Sequence, residues 1–306
     1  MAGDDVVDDI LRPLSQEDLI LLKEIYRKHL PESIPFFFVM ENQLRWLTKM
    51  EQMEADEMSK LSARAFLRYY VPRNGKLENG TFVAITDNED PCVYFHSLQE
   101  DCNQLIIYLS ETKLICWRSC PVFCGISDNH FRVLEQVINQ KMGKLTVLSD
   151  CSYFTLDKNI AAQFEFNVPD DVVLKEIDTS YAEFMNEHWP HRYLHSSKYI
   201  RFLIQFNGGL GLFDKSTGDL IGWVLKNEFA GVGHLHTMPS YRRRGFGELL
   251  AKAISSKIAK EDNTDVNAFM VETNIASRAL FRKIGYNWVE DSNWIRAVVV
   301  STNRND

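Results

Sequence analysis

The stretch His234-Leu-His-Thr-Met-Pro-Ser-Tyr-Arg-Arg-Arg-Gly-Phe-Gly247 decides the fold. An extended segment from Gly231 to Thr237 stops at Pro239, and residues 248–260 then carry apolar side chains at helical spacing. The turn therefore lies at a predicted helix N-terminus, where unpaired backbone N–H groups and the helix dipole favour anions. Its two glycines let a phosphate approach the backbone, so we interpret the turn as a pyrophosphate site.

The spacing within this turn separates several kinds of nucleotide site. A P-loop requires Gly-x4-Gly-Lys-Ser/Thr, and a dinucleotide fold requires Gly-x-Gly-x-x-Gly after a first strand; neither is present. The pattern Arg242-x-x-Gly245-x-Gly247 resembles the acyl-CoA pyrophosphate motif, Gln/Arg-x-x-Gly-x-Gly/Ala, of the GNAT acyltransferase superfamily. The resemblance implies an acyl-CoA here, with charge from Arg242, Arg243 and Arg244. A turn that only closes a tight connection is the structural alternative.

A second GNAT-like pattern follows further along the chain. The apolar segment Val266–Val271 predicts a strand, and the sequence after it, up to Tyr286, resembles the GNAT helix that flanks the pantetheine arm of CoA. The resemblance implies CoA contacts by Asn274, Ser277 and Phe281. Asn274 also suits a helix N-cap on local grounds, so capping and cofactor contact both stay open for this residue.

From Leu174 to the C-terminus the chain is similar to the glycine N-acyltransferase branch of the superfamily. Lys175–Trp189 resembles its opening strand and helix, Ile221–Leu225 its central strand with a tryptophan, and Thr237–Arg242 its Thr-Leu-Pro-Glu-Tyr-Arg segment. The N-terminal half is matched more weakly, mainly through Leu22–Pro31. The resemblance implies that this half is a degenerate domain of the same kind, because it lacks the Arg-x-x-Gly-x-Gly turn.

We therefore expect an α/β (α+β) chain with a GNAT fold, a mixed central sheet flanked by helices. A linker at Pro169–Asp171 would separate a degenerate GNAT-like domain, residues 1–168, from a GNAT acyl-CoA-binding domain, residues 172–306. The predicted order in the second domain is β, α, α, β, β, β, α, β, α, β, β. In the first we predict helices at 15–30 and 128–140 and strands at Ile34–Met40, Thr81–Thr86, Cys92–His96, Leu114–Trp117 and Lys144–Leu148.

Composition narrows the class of protein. A formal net charge of −8 opposes an extended nucleic-acid surface, which needs a basic face. Apolar runs are too short to span a bilayer, so we expect no membrane partner. The acidic start Met1–Asp9 favours the cytoplasm over a presequence, although the resemblance makes a mitochondrial location possible. We expect a monomer or a weak dimer.

Cysteines and histidines do not suggest a metal site. The six cysteines include no Cys-x-x-Cys pair, and Cys116, Cys120 and Cys124 lie among apolar neighbours that favour packed thiols. The histidines at positions 188, 191 and 195 lack an evident fourth ligand. We expect no metal.

Transfer of an acyl group from a thioester to an amine makes three chemical demands. The amine must lose a proton, the thioester oxygen must be stabilised as it gains charge, and the thiolate must leave. The resemblance implies that a backbone N–H near Leu235–Met238 binds this oxygen, and that Leu235, His236, Thr237 and Phe246 contact CoA. Phe281 stands where many GNAT enzymes carry a tyrosine that protonates the sulfur, and a phenyl ring cannot donate a proton.

The catalytic base is where the sequence departs from the glycine-conjugating relatives. Their catalytic glutamate matches Gly231, which has no side chain. The candidate replacements are Glu228, His234 and His236, since a carboxylate or a neutral imidazole accepts a proton directly or through water. By simple alternation along the strand, both histidines lie on the face opposite Gly231 unless a bulge intervenes.

Acceptor recognition is expected between the first two strands of the second domain, where Trp189, Arg192 and Tyr193 occur. Arg192 can bind an acceptor carboxylate bidentately, as glycine conjugation requires; a surface ion pair is the alternative.

Two functions of different class fit these observations. The first is an acyl-CoA-dependent N-acyltransferase, which moves an acetyl or larger acyl group to the amine of a small molecule or an amino acid such as glycine. The second is an acyl-CoA-binding protein that has lost the base at Gly231 and the acid at Phe281. A protein-lysine acetyltransferase is a third option that rests on superfamily resemblance alone.

Overall fold

The computed structural model shows two compact units. Unit 1 is described over residues 8–30, 33–44, 66–86, 91–151 and 291–299, and unit 2 over residues 45–54 and 152–290. The predicted linker Pro169–Asp171 lies inside unit 2. Phe154 and Ala161, which precede it, belong to the core of unit 2, and the Asp170 carbonyl accepts a hydrogen bond from Lys215.

Unit 1 consists of short strands and the helices that cover them. Its strands are β1 (Leu11–Pro13), β2 (Leu67–Pro72), β3 (Phe82–Thr86), β4 (Cys92–His96), β5 (Val122–Ser127) and β6 (Gly143–Ser149). The helices are α1 (Gln16–Arg27), α2 (Ile34–Glu51), which begins in unit 1 and ends in unit 2, α3 (Asn103–Glu111) and α4 (Asp128–Gln140). The predicted strands at 81–86, 92–96 and 144–148 and the predicted helix at 128–140 are confirmed.

The sheet of unit 1 changes from antiparallel to parallel at one place. Strands β1 to β4 are antiparallel neighbours in that order, whereas β4 and β5 run parallel with Cys92 opposite Val122. Helix α3 connects them, as a parallel pair requires. Leu105 and Leu109 of α3 are buried in a core that also holds Phe123.

A buried polar network lies at the carboxyl ends of β4 and β5. The Tyr26 hydroxyl donates to the Gly80 carbonyl at 2.7 Å, so its 2.8 Å contact with His96 Nδ1 must be donated by the imidazole. His130 Nε2 accepts from the Ser97 N–H at 3.4 Å. The two imidazoles lie with ring centroids 4.3 Å apart. Burial lowers the pKa of His130 to about 4 and lowers the pKa of His96 as well.

We expect unit 1 to lose stability as the pH falls from about 6.5 to about 4. The pKa of His130 is about 4 in the folded protein and about 6.5 in the unfolded chain, so between these values the unfolded state binds more protons. The free energy of unfolding should drop by up to about 3 kcal/mol across this window. Thermal midpoints from circular dichroism at several pH values measure this, and His130→Gln should show a smaller drop. Equal drops in both proteins would contradict the assignment.

The prediction of a strand at Ile34–Met40 is wrong, because these residues begin helix α2. A continuous apolar run does not distinguish a buried strand from a buried helix. Pro35 occupies the first turn of the helix, where its missing N–H has no partner to lose. Phe36 to Met40 are all buried, so the run shows no polar face.

The prediction of a strand at Leu114–Trp117 is also wrong. The segment is irregular and leads into a short 3₁₀ turn at Trp117–Ser119. The Asp9 carboxylate accepts from the Lys113 N–H at 2.8 Å and from the Thr112 hydroxyl at 2.9 Å. The Leu114 N–H donates to the Thr112 hydroxyl at 3.2 Å, so a side-chain hydrogen bond takes the place of a ladder bond at the start of the segment.

Unit 2 consists of a second sheet and its helices. Its strands are β7 (Cys151–Leu156), which begins at the boundary, β8 (Val172–Glu176), β9 (Gly209–Asp214), β10 (Leu220–Lys226), β11 (Val232–Thr237) and β12 (Val266–Val271). The helices are α5 (Lys158–Ala162), α6 (Ala182–Glu187), α7 (Ser196–Asn207), α8 (Phe246–Asp262) and α9 (Ile275–Lys283). A final strand, β13 (Asn287–Val299), begins in unit 2 and ends in unit 1.

The sheet of unit 2 has the order β7–β12–β11–β10–β9–β8. Neighbours from β8 to β11 are antiparallel, and β11 runs parallel to β12 with Val232 opposite Ala268. Helix α8 connects this parallel pair, and its predicted apolar face is buried, including Leu250 and Ile254. The carboxyl ends of β11 and β12 therefore meet the N-termini of α8 and α9 at one edge.

The two strands predicted after α9 are in fact one, β13. The register of this strand shifts between Asn293 and Ile295 on the β5 side and between Trp294 and Ile295 on the β6 side. A bulge accommodates an extra residue without ending the strand.

Among the helices in the described part of the chain, none has the length and apolar content needed to cross a membrane.

Candidate functional site

The turn between β11 and α8 presents an open helix N-terminus. Gly245 is the N-cap of α8 with φ of 80°, a left-handed conformation that favours glycine. Within the described residues, no side chain caps this helix, and a Cβ on Gly245 would meet nothing within 4 Å. A Cβ on Gly247 would meet only Leu280 and Thr237 atoms, at 3.9 and 4.0 Å. The backbone N–H groups of the first turn are thus accessible to an anion.

The three arginines of the turn play different parts. Arg242 Nε donates to the Thr237 carbonyl at 3.1 Å and so ties the turn to the end of β11. Arg244 forms an ion pair with Asp171 and lies over the Phe246 ring at 4.8 Å. Arg243 has φ of 66°, and its exposed side chain has no hydrogen bond or ion pair with any described residue. Arg243 is therefore the arginine whose charge is most available to a phosphate.

Strand β11 contains a β-bulge. Trp223 lies opposite His236 and Leu225 lies opposite Gly233, so His234 and Leu235 together oppose the single residue of β10 between them. His234 has φ of 54°, a conformation that costs a non-glycine residue about 1–2 kcal/mol. The simple alternation that we used to place both histidines opposite Gly231 does not hold across this bulge.

One backbone donor near the end of β11 points away from β10. The Met238 N–H donates to the Ile221 carbonyl at 2.9 Å, and Thr237 lies opposite Gly222. Because successive N–H groups of a strand point to opposite sides, the Thr237 N–H faces the β12 side. Within the described residues β11 pairs with β12 at Val232, before the bulge, so Thr237 lies beyond that pairing.

His234 is enclosed by aromatic rings. Its centroid lies 4.8 Å from that of Trp189 and 5.8 Å from that of Tyr199. Although the side chain is partly exposed, both ring nitrogens are buried and have no hydrogen-bond partner in the described structure. Burial, with a smaller contribution from His191, lowers the pKa of His234 to about 4, so the imidazole is neutral at physiological pH.

His236 occupies a second aromatic environment. It stacks on Trp223 with centroids 4.5 Å apart and lies 5.9 Å from His188. Burial lowers its pKa to about 4, assisted by Arg242 and His188. A base with so low a pKa removes a proton from an ammonium group poorly.

Glu228 lies in the tight turn between β10 and β11. The Tyr199 hydroxyl donates to its carboxylate, and burial raises its pKa above the ordinary value despite this hydrogen bond. The Asn227 side chain fixes the turn by accepting from the N–H groups of Phe229 and Gly231 at 3.1 and 3.0 Å. Of the three predicted bases, Glu228 alone has a pKa shifted toward neutrality.

Gly231 is held by close packing against β12. A Cβ at this position would lie 2.0 Å from Asn267 Oδ1 and 2.4 Å from the Asn267 carbonyl oxygen. Asn267 is itself fixed, because its Nδ2 donates to the Phe229 carbonyl at 2.9 Å. A glutamate at position 231 does not fit this backbone arrangement.

We expect Gly231→Ala to destabilise the protein by more than about 2 kcal/mol, since the added methyl group collides with backbone as well as side-chain atoms. The thermal midpoint measures the effect. Gly247→Ala is the matched control, because its methyl group meets only ordinary contacts. If Gly231→Ala were as stable as this control, β12 would have to shift at Asn267 to make room for the methyl group, which would contradict the prediction.

The residues of the second GNAT-like pattern are placed around α9. Asn274 is the N-cap, and its side chain accepts from the Ser277 N–H at 3.1 Å, which confirms the capping interpretation. Phe281 is buried, 4.9 Å from the Tyr286 ring. The Tyr286 hydroxyl lies 2.8 Å from Ser255 Oγ. The phenyl ring at position 281 therefore serves the core.

The predicted acceptor residues are only partly brought together. Trp189 joins the aromatic group around His234, with its ring 6.1 Å from both Tyr193 and Tyr199. Arg192 is exposed and donates to the Glu187 carbonyl at the end of α6. This arginine stabilises a helix C-terminus in the structure.

Sequence analysis missed two residues of this site. Tyr199 has no local signal, because its hydroxyl meets Glu228 only after α7 packs against the sheet. Asn267 did have a signal, a polar residue within an apolar strand. In the described residues there is no group of three or more His, Cys, Asp or Glu side chains that could hold a metal ion.

Two family models match parts of the chain. Residues 209–295 match the model described as FR47-like protein, and residues 10–137 match a domain of unknown function, DUF5645. Each match covers less than half of the 306 residues. No curated protein matches the sequence.

Solved structures with similar folds cover nearly the whole chain. A Drosophila protein of known X-ray structure is 27% identical, with 96% of this chain and 100% of that chain covered and a TM-score of 0.87. A tandem GNAT protein from the clavulanic acid biosynthesis pathway is 12% identical, with 97% and 99% covered and a TM-score of 0.55. A GCN5-related N-acetyltransferase from Sphaerobacter thermophilus is 12% identical, with 94% of each chain covered and a TM-score of 0.53.

These similarities establish the fold. The mixed sheet flanked by helices, with a second domain, is the predicted GNAT architecture. The glycine N-acyltransferase branch stays a prediction. The chain has a GNAT fold, and its residues 209–295 match the FR47-like family model.

Proposed function

We propose that unit 2 is an acyl-CoA-dependent N-acyltransferase whose acceptor is a small amine. The observation that carries this proposal is the pairing of two backbone features at one sheet edge. The Thr237 N–H faces away from β10, and the uncapped N-terminus of α8 follows a few residues later. The first suits a thioester oxygen and the second suits a pyrophosphate.

The residues of the turn fit the CoA pyrophosphate. The N–H groups of Phe246 and Gly247 lie in the uncapped first turn, and Arg243 adds a positive charge. Glu248, the one acidic residue of this turn, is paired with Lys252 at 3.0 Å and Lys283 at 2.6 Å, so its charge is balanced. Leu235, His236, Asn274 and Ser277 complete the proposed CoA contacts by resemblance, whereas Phe281 is buried in the core.

We expect Arg243→Gly to weaken CoA binding about tenfold without lowering stability. Glycine removes the charge and adopts the left-handed backbone at least as well as arginine, so the thermal midpoint should stay or rise. Isothermal titration with CoA measures the affinity. Lys260→Ala, near the opposite end of α8, is the matched control for loss of a positive charge. Unchanged affinity in Arg243→Gly would place the pyrophosphate elsewhere.

The thioester supplies the acyl group and a thiolate leaving group. A C–N bond forms, the C–S bond breaks, and the two protons lost by the ammonium group pass to the base and to the departing sulfur. The Thr237 N–H would hydrogen-bond to the oxygen that gains negative charge. One donor held in place in this way is worth about 3 kcal/mol to the transition state.

We assign the base to Glu228. Its pKa is raised by burial, which brings the carboxylate closer to the pH range in which an ammonium group must be deprotonated. His234 and His236 have pKa values of about 4 and accept protons less readily. The carboxylate would thus replace the side chain that cannot be accommodated at Gly231.

We expect Glu228→Gln to lower kcat/KM about 10²- to 10³-fold and to remove the ascending limb of its pH profile. In the native enzyme that limb should lie above the ordinary pKa of a glutamate, because activity requires the carboxylate. Tyr199→Phe removes a hydrogen bond that lowers this pKa, so the limb should move to higher pH. A limb that stays in place in Glu228→Gln would assign the base to another group.

The second candidate is a protein that binds acyl-CoA without transferring the acyl group. The packing of Phe281 and the close contact of Gly231 with Asn267 favour it. The enzymes that the sequence resembles carry a catalytic tyrosine and a catalytic glutamate at these two positions, and here both positions serve packing. Thiol release from acetyl-CoA and benzoyl-CoA with a panel of amines decides between the two. Turnover above the blank supports the enzyme, and CoA binding without turnover supports the binding protein.

A further inference from the structure

His234 combines backbone strain with unused hydrogen-bonding capacity. Its left-handed conformation lies at the first bulge position, where glycine is the usual residue. Both ring nitrogens are buried without a hydrogen-bond partner in the described chain. Buried polar atoms are nearly always satisfied, so an unsatisfied imidazole in a strained backbone indicates a ligand.

The surroundings of His234 indicate the chemistry of that ligand. The Trp189 and Tyr199 rings stack on one another with centroids 6.1 Å apart and planes inclined at 29°, and the Tyr199 hydroxyl joins Glu228 to the group. Aromatic faces and a carboxylate attract a cation. A neutral imidazole adds a hydrogen-bond acceptor for an ammonium N–H.

Trp189 also provides access to the imidazole. It follows α6 in an irregular segment in which residues 190–195 are exposed. Because its neighbours in the chain are exposed, the Trp189 side chain is the part of this enclosure that can move aside for an acceptor and then pack against it.

A carboxylate-bearing acceptor is poorly matched to this site. Arg192, which the sequence suggested for a carboxylate, donates instead to the Glu187 carbonyl. Lys226 is paired with Asp262. Glu228 would repel a carboxylate placed beside it.

We propose that the acceptor is a primary alkylamine without a carboxylate, whose ammonium group His234 orients and whose apolar part lies on Trp189 and Tyr199. This inference rests on the proposed transfer of an acyl group from CoA to the amine beside the Thr237 N–H. Glycine, the acceptor implied by the sequence resemblance, is then a poor substrate.

The first experiment compares acceptors that differ only by the carboxylate. Thiol release from acetyl-CoA is measured with 2-phenylethylamine and phenylalanine, and with propylamine and glycine. We expect kcat/KM to be at least about 100-fold higher for each amine. Equal or higher values for the amino acids would overturn the inference and leave the transferase function intact.

The second experiment tests His234 itself. His234→Asn removes the imidazole but keeps a residue that tolerates the left-handed backbone. We expect KM for 2-phenylethylamine to rise about tenfold while kcat and the affinity for CoA change little, as loss of an acceptor-orienting contact predicts. His195→Asn, the same substitution at an exposed left-handed histidine, is the matched control. An unchanged KM in His234→Asn would overturn the inference.

A binding measurement separates this inference from the proposed function. 2-Phenylethylamine and phenylalanine are titrated calorimetrically into the CoA-saturated protein, native and His234→Asn. Tighter binding of the amine that is lost in His234→Asn supports the inference even if no turnover occurs, in which case the transferase function fails alone. No binding of the amine overturns the inference, whatever the thiol assay shows.

Discussion

The β-bulge at His234 and Leu235 is the constraint on which the site of unit 2 depends. Two residues of β11 oppose one residue of β10, which bends and twists the strand beyond its pairing with β12 at Val232. The Thr237 N–H lies beyond that pairing and faces away from β10. The bulge also gives His234 the left-handed backbone with which it lies among the Trp189 and Tyr199 rings.

The approach to the same strand shows why position 231 carries no side chain. Gly231 directly precedes β11, and Asn267 fills the space that a side chain at position 231 would need. Asn227 holds the turn from the other side through the Gly231 N–H. The turn is therefore specified by two asparagines, and the carboxylate available to the site lies within it, at Glu228.

Charge is distributed unevenly between the two ends of the proposed site. The CoA end is cationic, with Arg242 to Arg244 on a chain whose formal net charge is −8. At the acceptor end His234 is neutral and Glu228 is the acidic group, because burial disfavours the charged imidazole. Under the proposed function, an anionic donor and a cationic acceptor would thereby be directed to different places.

The sequence by itself determined the turn and the helix that surround the proposed CoA site. Each of the signals involved is local: Pro239 ends the extended segment, Gly245 begins the helix, and the apolar spacing of α8 has the helical period. Rules of backbone conformation and periodicity of this kind can be applied to a sequence alone. Those rules failed at Ile34–Met40, where a buried helix and a buried strand have the same apolar composition. Only the tertiary structure decided the bulge at His234, the rings around it and the contact of Tyr199 with Glu228. These features depend on which strands and helices pack together, and a residue pattern does not encode such contacts between distant positions.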